Sequence, residues 1–586
     1  MGLTEKEIVL VTDCGSTTTK AILFEKTSDG WRSTVRGEAP TTVERPLADV
    51  TIGAVNAFRE VEELWGRSML KESASSPLQI RESKTDPGID IYLSTSSAGG
   101  GLQMIVLGVV GSISARLAER AALGGGAIVM DTISLDDGRE THEHIDKLRH
   151  LRPDIVLIAG GTDGGTRNHP VELAELLLQA DPRPRFGETL KIPVIYAGNS
   201  EAAPDVRKIL GERFQVVEVA NLCPEIGREV VAPARDAIHE IFLSHVMSHA
   251  PGYAKLLSWS PKGILPTPVA FGQMISTISD RLNQSVLAVD IGGATTDVFS
   301  SLRREDGSYS LNRTVSANLG MSYSVANVLI EAGATAIRRW LPFSLDIAEL
   351  EDILRNKMIR PTSIPQTYHE LLIEQAVARE ALRLSLLHHQ KLLDNSGRQK
   401  GLEGIFQVKT VDGLERLRRV DLIIGSGGVL SHAPDRRQAA LMLLDAFKPL
   451  GVTRLAVDSV FMLPHLGVLA TLNPEAATEV LLRDCLIPLG TSVTVSNIPD
   501  RLERPVVRVE CKSESFTVNA GEIRVLELGT EAQDVMLTPL QSRIDCGAGA
   551  GRQLRTTVTG GEVGLIIDAR NRIDAARSFR EFGLSV

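Results

Sequence analysis

Two segments of the chain place an aspartate two positions ahead of a glycine and follow it with paired threonines. They are Asp13-Cys14-Gly15-Ser16-Thr17-Thr18-Thr19-Lys20 and Asp290-Ile291-Gly292-Gly293-Ala294-Thr295-Thr296-Asp297. A glycine in such a turn lets the main chain come close to an anion. Successive N–H groups and hydroxyls then cradle a phosphate. The aspartates suit a magnesium ion, met directly or through water, because Mg²⁺ keeps several waters at nucleotide sites. Taken alone, the first segment also fits a plain hairpin with a polar tip. Its repetition argues for two lobes of similar topology facing one nucleotide. A third segment, Gly425-Ser426-Gly427-Gly428, follows directly on an aliphatic run. A strand entering such a turn can lie against adenine or ribose; by itself the pattern usually marks a tight strand-to-helix turn.

These segments need strands to present them. Ile8–Thr12 reads as a buried strand, and Thr19–Glu25 as the strand returning from the first turn. Val286–Asp290 and Val298–Ser300 flank the second turn, and Val420–Ile424 leads into the third. From about residue 89 to 200, aliphatic strands (Ile89–Leu93, Met104–Gly108, Ala127–Thr132, Asp154–Ala159, Pro193–Ala197) alternate with helical patterns near Ser112–Leu123, His142–His150 and Val171–Leu178. That alternation predicts a parallel sheet with helices on its faces. Helices are also expected at Ile347–Lys357, Tyr368–Leu393 and Arg437–Phe447, with an exposed loop over Asp394–Glu403. Past about Thr491 short strands dominate: Val506–Cys511, Phe516–Ala520, Ile523–Leu528, Leu554–Thr559 and Val563–Asp568. The expected division is a first lobe over 1–285 containing the α/β segment, a second over 286–490, and a small β-rich C-terminal domain over 491–586.

A chain of 586 residues corresponds to three to five units at roughly 100–200 residues each. It is 43% hydrophobic and only 4% aromatic, with 51 glycines. Glycine-rich turns between aliphatic strands give that balance and indicate an α/β protein. The net charge is −10 and no Lys/Arg block is present, which disfavours nucleic acid and anionic membranes as partners. The polar stretch Met1–Glu7 lacks the features of a leader, and Lys6 breaks the myristoylation pattern. The apolar run Leu102–Gly111 is well short of the roughly 20 residues a membrane crossing needs. Cytoplasmic residence is the expectation. Cys14, Cys223, Cys485, Cys511 and Cys546 are scattered and form no CxxC pair, so zinc and disulfide frameworks are disfavoured.

In order and character, the three glycine-bearing segments resemble the phosphate-1, phosphate-2 and adenosine motifs of actin, sugar kinases and heat-shock chaperones. The resemblance implies a two-lobed, actin-like (ribonuclease H-like) ATPase fold with Mg-ATP in its cleft. Asp13 and Asp290 would organise Mg²⁺ and the attacking water. Gly15, Ser16, Thr17, Thr18, Lys20, Gly292, Gly293, Thr295 and Thr296 would hold phosphates, and Gly425, Ser426, Gly427 and Gly428 the adenosine side. Further segments narrow the likeness: Ser96-Ser97-Ala98-Gly99-Gly100-Gly101-Leu102, Ile158–Gly165, Val194–Asn199, Asn318-Leu319-Gly320-Met321 and Val563–Arg570. Together they resemble the MutL family associated with glutamate mutase. That family resemblance implies an ATP-dependent reactivating partner of an adenosylcobalamin-dependent mutase or another corrinoid enzyme.

Three alternatives remain open on sequence. A small-molecule kinase needs a catalytic aspartate in a sugar pocket, and none is identifiable. A radical-dehydratase activator needs closely placed cysteines for an iron–sulfur cluster, and they are missing. A scaffold that binds ATP without hydrolysing it would look the same. Gly160–Gly165 reads equally as a contact loop for a nucleotide or partner and as a crossover turn, and Ser94–Gly101 shares that ambiguity. Neither His142/His144 nor His388/His389 has the i,i+4 spacing of a helical zinc site. Cys14 reads as a small filler, with redox chemistry the alternative.

Overall fold

The computed structural model describes all residues except 1–6, 16, 44–45, 72–75, 98–101, 185–190, 243–249, 317, 398–412, 499–503, 513, 571–574 and 585–586. The chain forms two compact units: Met1–Thr277, Leu392–Phe406 and Leu463–Asp484 make the first, and Ile278–Lys391, Gln407–Met462 and Cys485–Val586 the second.

The first unit contains a sheet of β1 (Ile8–Cys14), β2 (Thr18–Thr27), β3 (Gly30–Pro40), β4 (Ile91–Ser96) and β10 (Ile264–Pro266) in the order β10-β4-β1-β2-β3. The pairs β1/β2 and β2/β3 are antiparallel, whereas β1/β4 and β4/β10 are parallel. The second unit repeats this plan with β11 (Val286–Ile291), β12 (Thr296–Arg303), β13 (Tyr309–Ser316), β14 (Leu422–Ser426) and β15 (Gly451–Asp458). Here β11/β12 and β12/β13 are antiparallel, and β11/β14 and β14/β15 are parallel. The order β15-β14-β11-β12-β13 matches the first unit strand for strand. The duplicated motif therefore marks a duplicated sheet, as the actin-like resemblance implies. Aliphatic runs explain the central strands: Ile8–Val11 and Val286–Val289 are buried on both faces.

The first unit also holds a five-stranded, all-parallel sheet. Its strands are β5 (Leu102–Gly108), β6 (Ala127–Ser134), β7 (Ile155–Ala159), β8 (Pro193–Tyr196) and β9 (Gln215–Glu218), ordered β6-β5-β7-β8-β9. Every residue of β7 is buried. Ile105, Val156 and Ile158 pack on one side against Leu173, Leu177 and Val206. Met104, Ile155 and Leu157 pack on the other against Leu117 and Ala121. This is the parallel sheet expected from the βα alternation at 89–200, except that the first expected strand, Ile89–Leu93, belongs to β4 of the preceding sheet.

In the second unit β16 (Leu486–Thr494), β19 (Ile523–Leu526) and β22 (Gly564–Asp568) extend the duplicated sheet to eight strands. Only β17 (Pro505–Cys511), β18 (Ser515–Asn519), β20 (Gln533–Pro539) and β21 (Leu554–Val558) form a separate antiparallel sheet. The helix Tyr368–Gly397 runs through the start of the loop expected at Asp394–Glu403, and the rest of that loop lies outside the described residues. The expected helices at Ile347–Lys357 and Arg437–Phe447 form as Ile347–Ile359 and Arg436–Phe447.

The last motif of the sequence ends in a buried ion network. Asp445 bridges Arg379 (2.8 Å) and Arg570 (2.9 Å), and Arg570 also pairs with Asp568 (2.7 Å). Truncating one partner strands buried charge. Asp445→Ala is expected to destabilise the protein by about 3–5 kcal/mol, read by urea unfolding; a loss below about 1 kcal/mol would show that the network contributes little.

His389, fully buried, is hydrogen-bonded to Thr314 (2.7 Å) and Ser300 (2.8 Å), which accounts for it without a metal. Burial pushes its imidazole down to about 3. The unfolded state, with an ordinary imidazole near 6.5, binds the extra proton throughout the interval. Stability is therefore fully present above about pH 6.5 and declines as pH falls towards 3. Urea midpoints measured from pH 7 to 5 should fall, and more shallowly in His389→Gln.

Candidate functional site

Both aspartate hairpins close in the same way. Gly15 N donates to Thr18 O (3.1 Å), and Gly292 N donates to Thr295 O (2.9 Å). In strand register Asp13 lies opposite Lys20, and Asp290 opposite Asp297. On the parallel side, Asp13 neighbours Thr95 and Asp290 neighbours Ser426. Each candidate metal-binding carboxylate thus has a hydroxyl residue beside it on the next strand.

In the first unit this neighbour acts directly. Thr95 Oγ1 donates to Asp13 Oδ1 (2.8 Å), and Thr267 Oγ1 donates to the same oxygen (2.6 Å). Oδ2 takes no hydrogen bond among the described residues. Thr41 braces the turn: its N–H donates to Thr17 O (2.9 Å) and its hydroxyl to Gly15 O (2.8 Å). Thr17 is exposed and Thr18 half-buried, while Ser16 lies outside the described residues. Cys14 is fully buried; burial, reinforced by the Asp13 charge, pushes its thiol up to about 12. Full burial and a raised pKa fit the packing role read for Cys14.

The second hairpin is braced from behind. Gly292 O accepts from Met321 N (2.9 Å), Gly293 O from Ser322 N (2.8 Å), and Ala294 O from the Ser324 hydroxyl (2.5 Å). The segment Asn318–Met321 thus has a structural reason. Thr296 is buried and donates to Leu319 O; Thr19, its counterpart in the first hairpin, is also buried and shares a hydrogen bond with Thr41 (2.9 Å). Asp297 is paired with Arg313 (2.7 Å).

The third motif joins the second hairpin, because β11 and β14 are parallel neighbours ending at one edge. Gly425 and Ser426 are buried in β14, Gly427 is buried beyond it, and Gly428 is exposed. Gly427 has φ +107°, and a Cβ there would lie 2.2 Å from Ile291 O. Its glycine is required by the protein's own backbone. Around Gly428, by contrast, nothing lies within 4 Å of an added Cβ.

Sequence reading missed Thr41, Thr267 and His465, and touched Thr95 only as part of the ambiguous segment Ser94–Gly101. The run Ser94–Ser96, all hydroxyl residues and all buried, was a signal for Thr95. Thr267 begins the helix Thr267–Leu282, and no spacing links it to Asp13. His465 sits on the fully buried helix Leu463–Ala470. Burial pushes its imidazole down to about 4, with the Asp13 charge opposing; it faces the first hairpin as a neutral ring. His142/His144 and His388/His389 gather no metal site, and no group of three or more His, Cys, Asp or Glu suited to a metal occurs among the described residues. No described helix is long and apolar enough to cross a membrane.

Comparison with known proteins adds a family. Residues 9–485 match the family described as MutL protein. Protein MutL of Clostridium tetanomorphum is 27% identical over 498 residues, covering 80% of this chain and 98% of that one. Among solved structures, nucleotide-free acetone carboxylase aligns over 88% of this chain and 81% of its own at 13% identity, with a TM-score of 0.33. The activator of 2-hydroxyisocaproyl-CoA dehydratase from Clostridium difficile, solved with ADPNP, aligns over 81% and 95% at 8% identity, with a TM-score of 0.25.

The contrast between adjacent glycines gives a test. Gly428→Val should leave the unfolding free energy, from urea titration, within about 0.5 kcal/mol of wild type while weakening nucleotide binding. Gly427→Val should cost stability with or without ligand. Unchanged ATP affinity in Gly428→Val, read by fluorescent-nucleotide titration, would remove this turn from the binding surface.

Proposed function

The chain belongs to the MutL protein family, and from that premise we propose that it is a Mg-ATP-dependent accessory protein that reactivates an adenosylcobalamin-dependent mutase of the glutamate mutase kind. The observation that carries the nucleotide half is the pair of identically closed hairpins, each ending a buried strand with an aspartate beside a hydroxyl residue. The client half rests on family membership.

The residues fit a magnesium nucleotide. Asp13 offers a hard oxygen donor whose partner oxygen is already fixed by Thr95 and Thr267. Asp290 is the equivalent group of the second hairpin. When bound, Mg²⁺ would neutralise phosphate charge and favour departure of the terminal phosphoryl group. The protein's own contribution is positioning. Gly15, Thr17 and Thr18 on one hairpin, and Gly292, Gly293 and Thr295 on the other, are the proposed phosphate contacts. Thr19, Thr41 and Thr296 hold the turns, and Gly428 is the exposed member of the adenosine turn. Phosphoryl transfer draws mainly on positioning and charge stabilisation, which rigid hairpins supply.

Turnover would then bias the protein between states that differ in affinity for the client. In this reading, the change helps exchange a damaged corrinoid for an intact one. The parallel sheet and the β-rich region after residue 491 are the proposed docking surfaces, and the setting is cytoplasmic.

The test is phosphate release with Mg-ATP, with and without a candidate mutase inactivated by hydroxocobalamin. Turnover with recovered mutase activity is the expected result. Asp290→Ala should reduce magnesium-dependent release by about a hundred-fold or more. Unchanged release in that variant would overturn the assignment of Asp290, and neither turnover nor ATP binding in wild type would overturn the nucleotide reading altogether.

A further inference from the structure

The glycine loop Gly160–Gly165 has no part in the proposed ATP chemistry, yet the fold gives it a particular place. In the all-parallel sheet, strand order reverses between β5 and β7, so successive crossovers leave opposite faces. In open sheets of this kind the carboxyl ends of the strands form the ligand edge, with the point of reversal the usual crevice; the cleft described next lies on that edge but to one side of the reversal, from β7 to β9. The loops after β7, β8 and β9 meet at that edge and enclose a cleft of about 620 Å³. That volume lies in the range of small-molecule sites.

The loops are locked together. Asn199, fully buried, donates through its backbone to Gly160 O (2.9 Å) and through its side chain to Gly165 O (3.1 Å) and Thr166 O (3.3 Å). The Tyr196 hydroxyl donates to Asn199 O (2.8 Å). A Cβ on Gly198 would lie 2.6 Å from Gly160 O, so the β7 and β8 loops touch backbone to backbone. This rigidity fixes one carboxylate at the cleft wall. Asp163 Oδ1 accepts from Ser200 N (2.9 Å) and from Asn221 Nδ2 (3.1 Å), which orients the carboxylate at the cleft wall. Partial burial works against its charge, but these donors outweigh it and hold the carboxyl below its usual range.

The same cleft is lined by Arg207, Arg228 and Glu218 and by the apolar residues Val219, Pro224 and Val230. Arg207 is paired with Glu218, and the Arg228 guanidinium is exposed, 3.8 Å from Glu225. An oriented carboxylate accepts hydrogen bonds from hydroxyls, and guanidinium groups favour phosphate.

We propose that this cleft is a second small-molecule site, sharing no residue with the aspartate hairpins, and that it takes a ribose phosphate of nucleotide size. The sugar hydroxyls bond to Asp163, the phosphate meets Arg228 and Arg207, and the apolar wall receives whatever the sugar carries.

The experiment is calorimetric titration of the full chain with ribose 5-phosphate, with ribose and inorganic phosphate as controls. Wild type should bind one equivalent of ribose 5-phosphate saturably and more tightly than either control. Asp163→Asn, which keeps an acceptor for Ser200, and Arg228→Ala, a change at an exposed side chain, should each weaken binding about ten-fold. Asp290→Ala should bind as wild type does. Absence of saturable binding at millimolar ribose 5-phosphate overturns the proposal, as does affinity untouched by both cleft variants. Binding lost in Asp290→Ala but kept in Asp163→Asn would place the ligand at the hairpins and equally overturn it. Inorganic phosphate binding as tightly as the sugar phosphate would overturn the assignment of Asp163 to the sugar. If Asp163→Asn melts early, Arg228→Ala decides alone.

Discussion

A carboxylate at the end of a buried strand costs free energy unless polar groups beside it compensate. For Asp13 part of the compensation is built into strand register, Thr95 donating from the neighbouring strand, and Thr267 supplies the rest from a helix start. The parallel neighbour of each hairpin strand ends in hydroxyl residues, which puts Thr95 beside Asp13 and Ser426 beside Asp290. A glycine amide bonded to a threonine carbonyl reverses the chain shortly afterwards, so the aspartate stands near the end of its strand, beside the turn. The remaining features of both sites follow from this arrangement. The threonine after each turn is buried because its strand has already rejoined the sheet, and the braces at Thr41 and Met321–Ser324 fix the turn's carbonyls.

What could be read from sequence was whatever is local or repeated. Asp13–Lys20 and Asp290–Asp297 announced hairpins because turn chemistry is confined to a few residues, and their repetition predicted a repeated sheet. The aliphatic runs of β5, β7 and β8 and their βα alternation gave the parallel sheet. Thr267 stayed hidden because its partner Asp13 is 254 positions away and threonine is common at a helix start. His465 stayed hidden because a lone histidine in an apolar helix usually reads as core. Gly427 has a backbone reason that sequence could not show, since a Cβ there would meet Ile291 O, whereas one at the next position would meet nothing within 4 Å. The β-rich tail divided unexpectedly, since whether β22 pairs with β16 or with its sequence neighbours depends on long-range register that alternating residues cannot encode.

That division has an energetic reading. β22 enters the main sheet of the second unit, and Arg570, two residues beyond its end, reaches Asp445 on the helix Arg436–Phe447, which also holds Arg379 on the long helix Tyr368–Gly397. Burying three charges is a poor source of stability, because desolvation offsets most of the attraction. It is an effective source of specificity, since any register of β22 that misplaces Arg570 leaves buried charge unmatched. The Val563–Arg570 motif thus supplies a strand of the main sheet and the arginine that ties it to the helix Arg436–Phe447.

The all-parallel sheet poses the opposite problem. Its core is aliphatic on both faces and would be satisfied by any short polar turns at its carboxyl edge. Instead a fully buried asparagine ties two loops together, a tyrosine hydroxyl holds that asparagine's carbonyl, and an aspartate is fixed by a third loop's amide side chain. Such satisfaction of buried polar groups rigidifies an edge that the sheet itself does not require to be rigid. A pre-ordered edge lowers the entropic cost of binding, which is what a small-molecule cleft gains from it. The aspartate hairpins obey the same logic with different parts, using hydroxyls in register where the parallel sheet uses amides across loops.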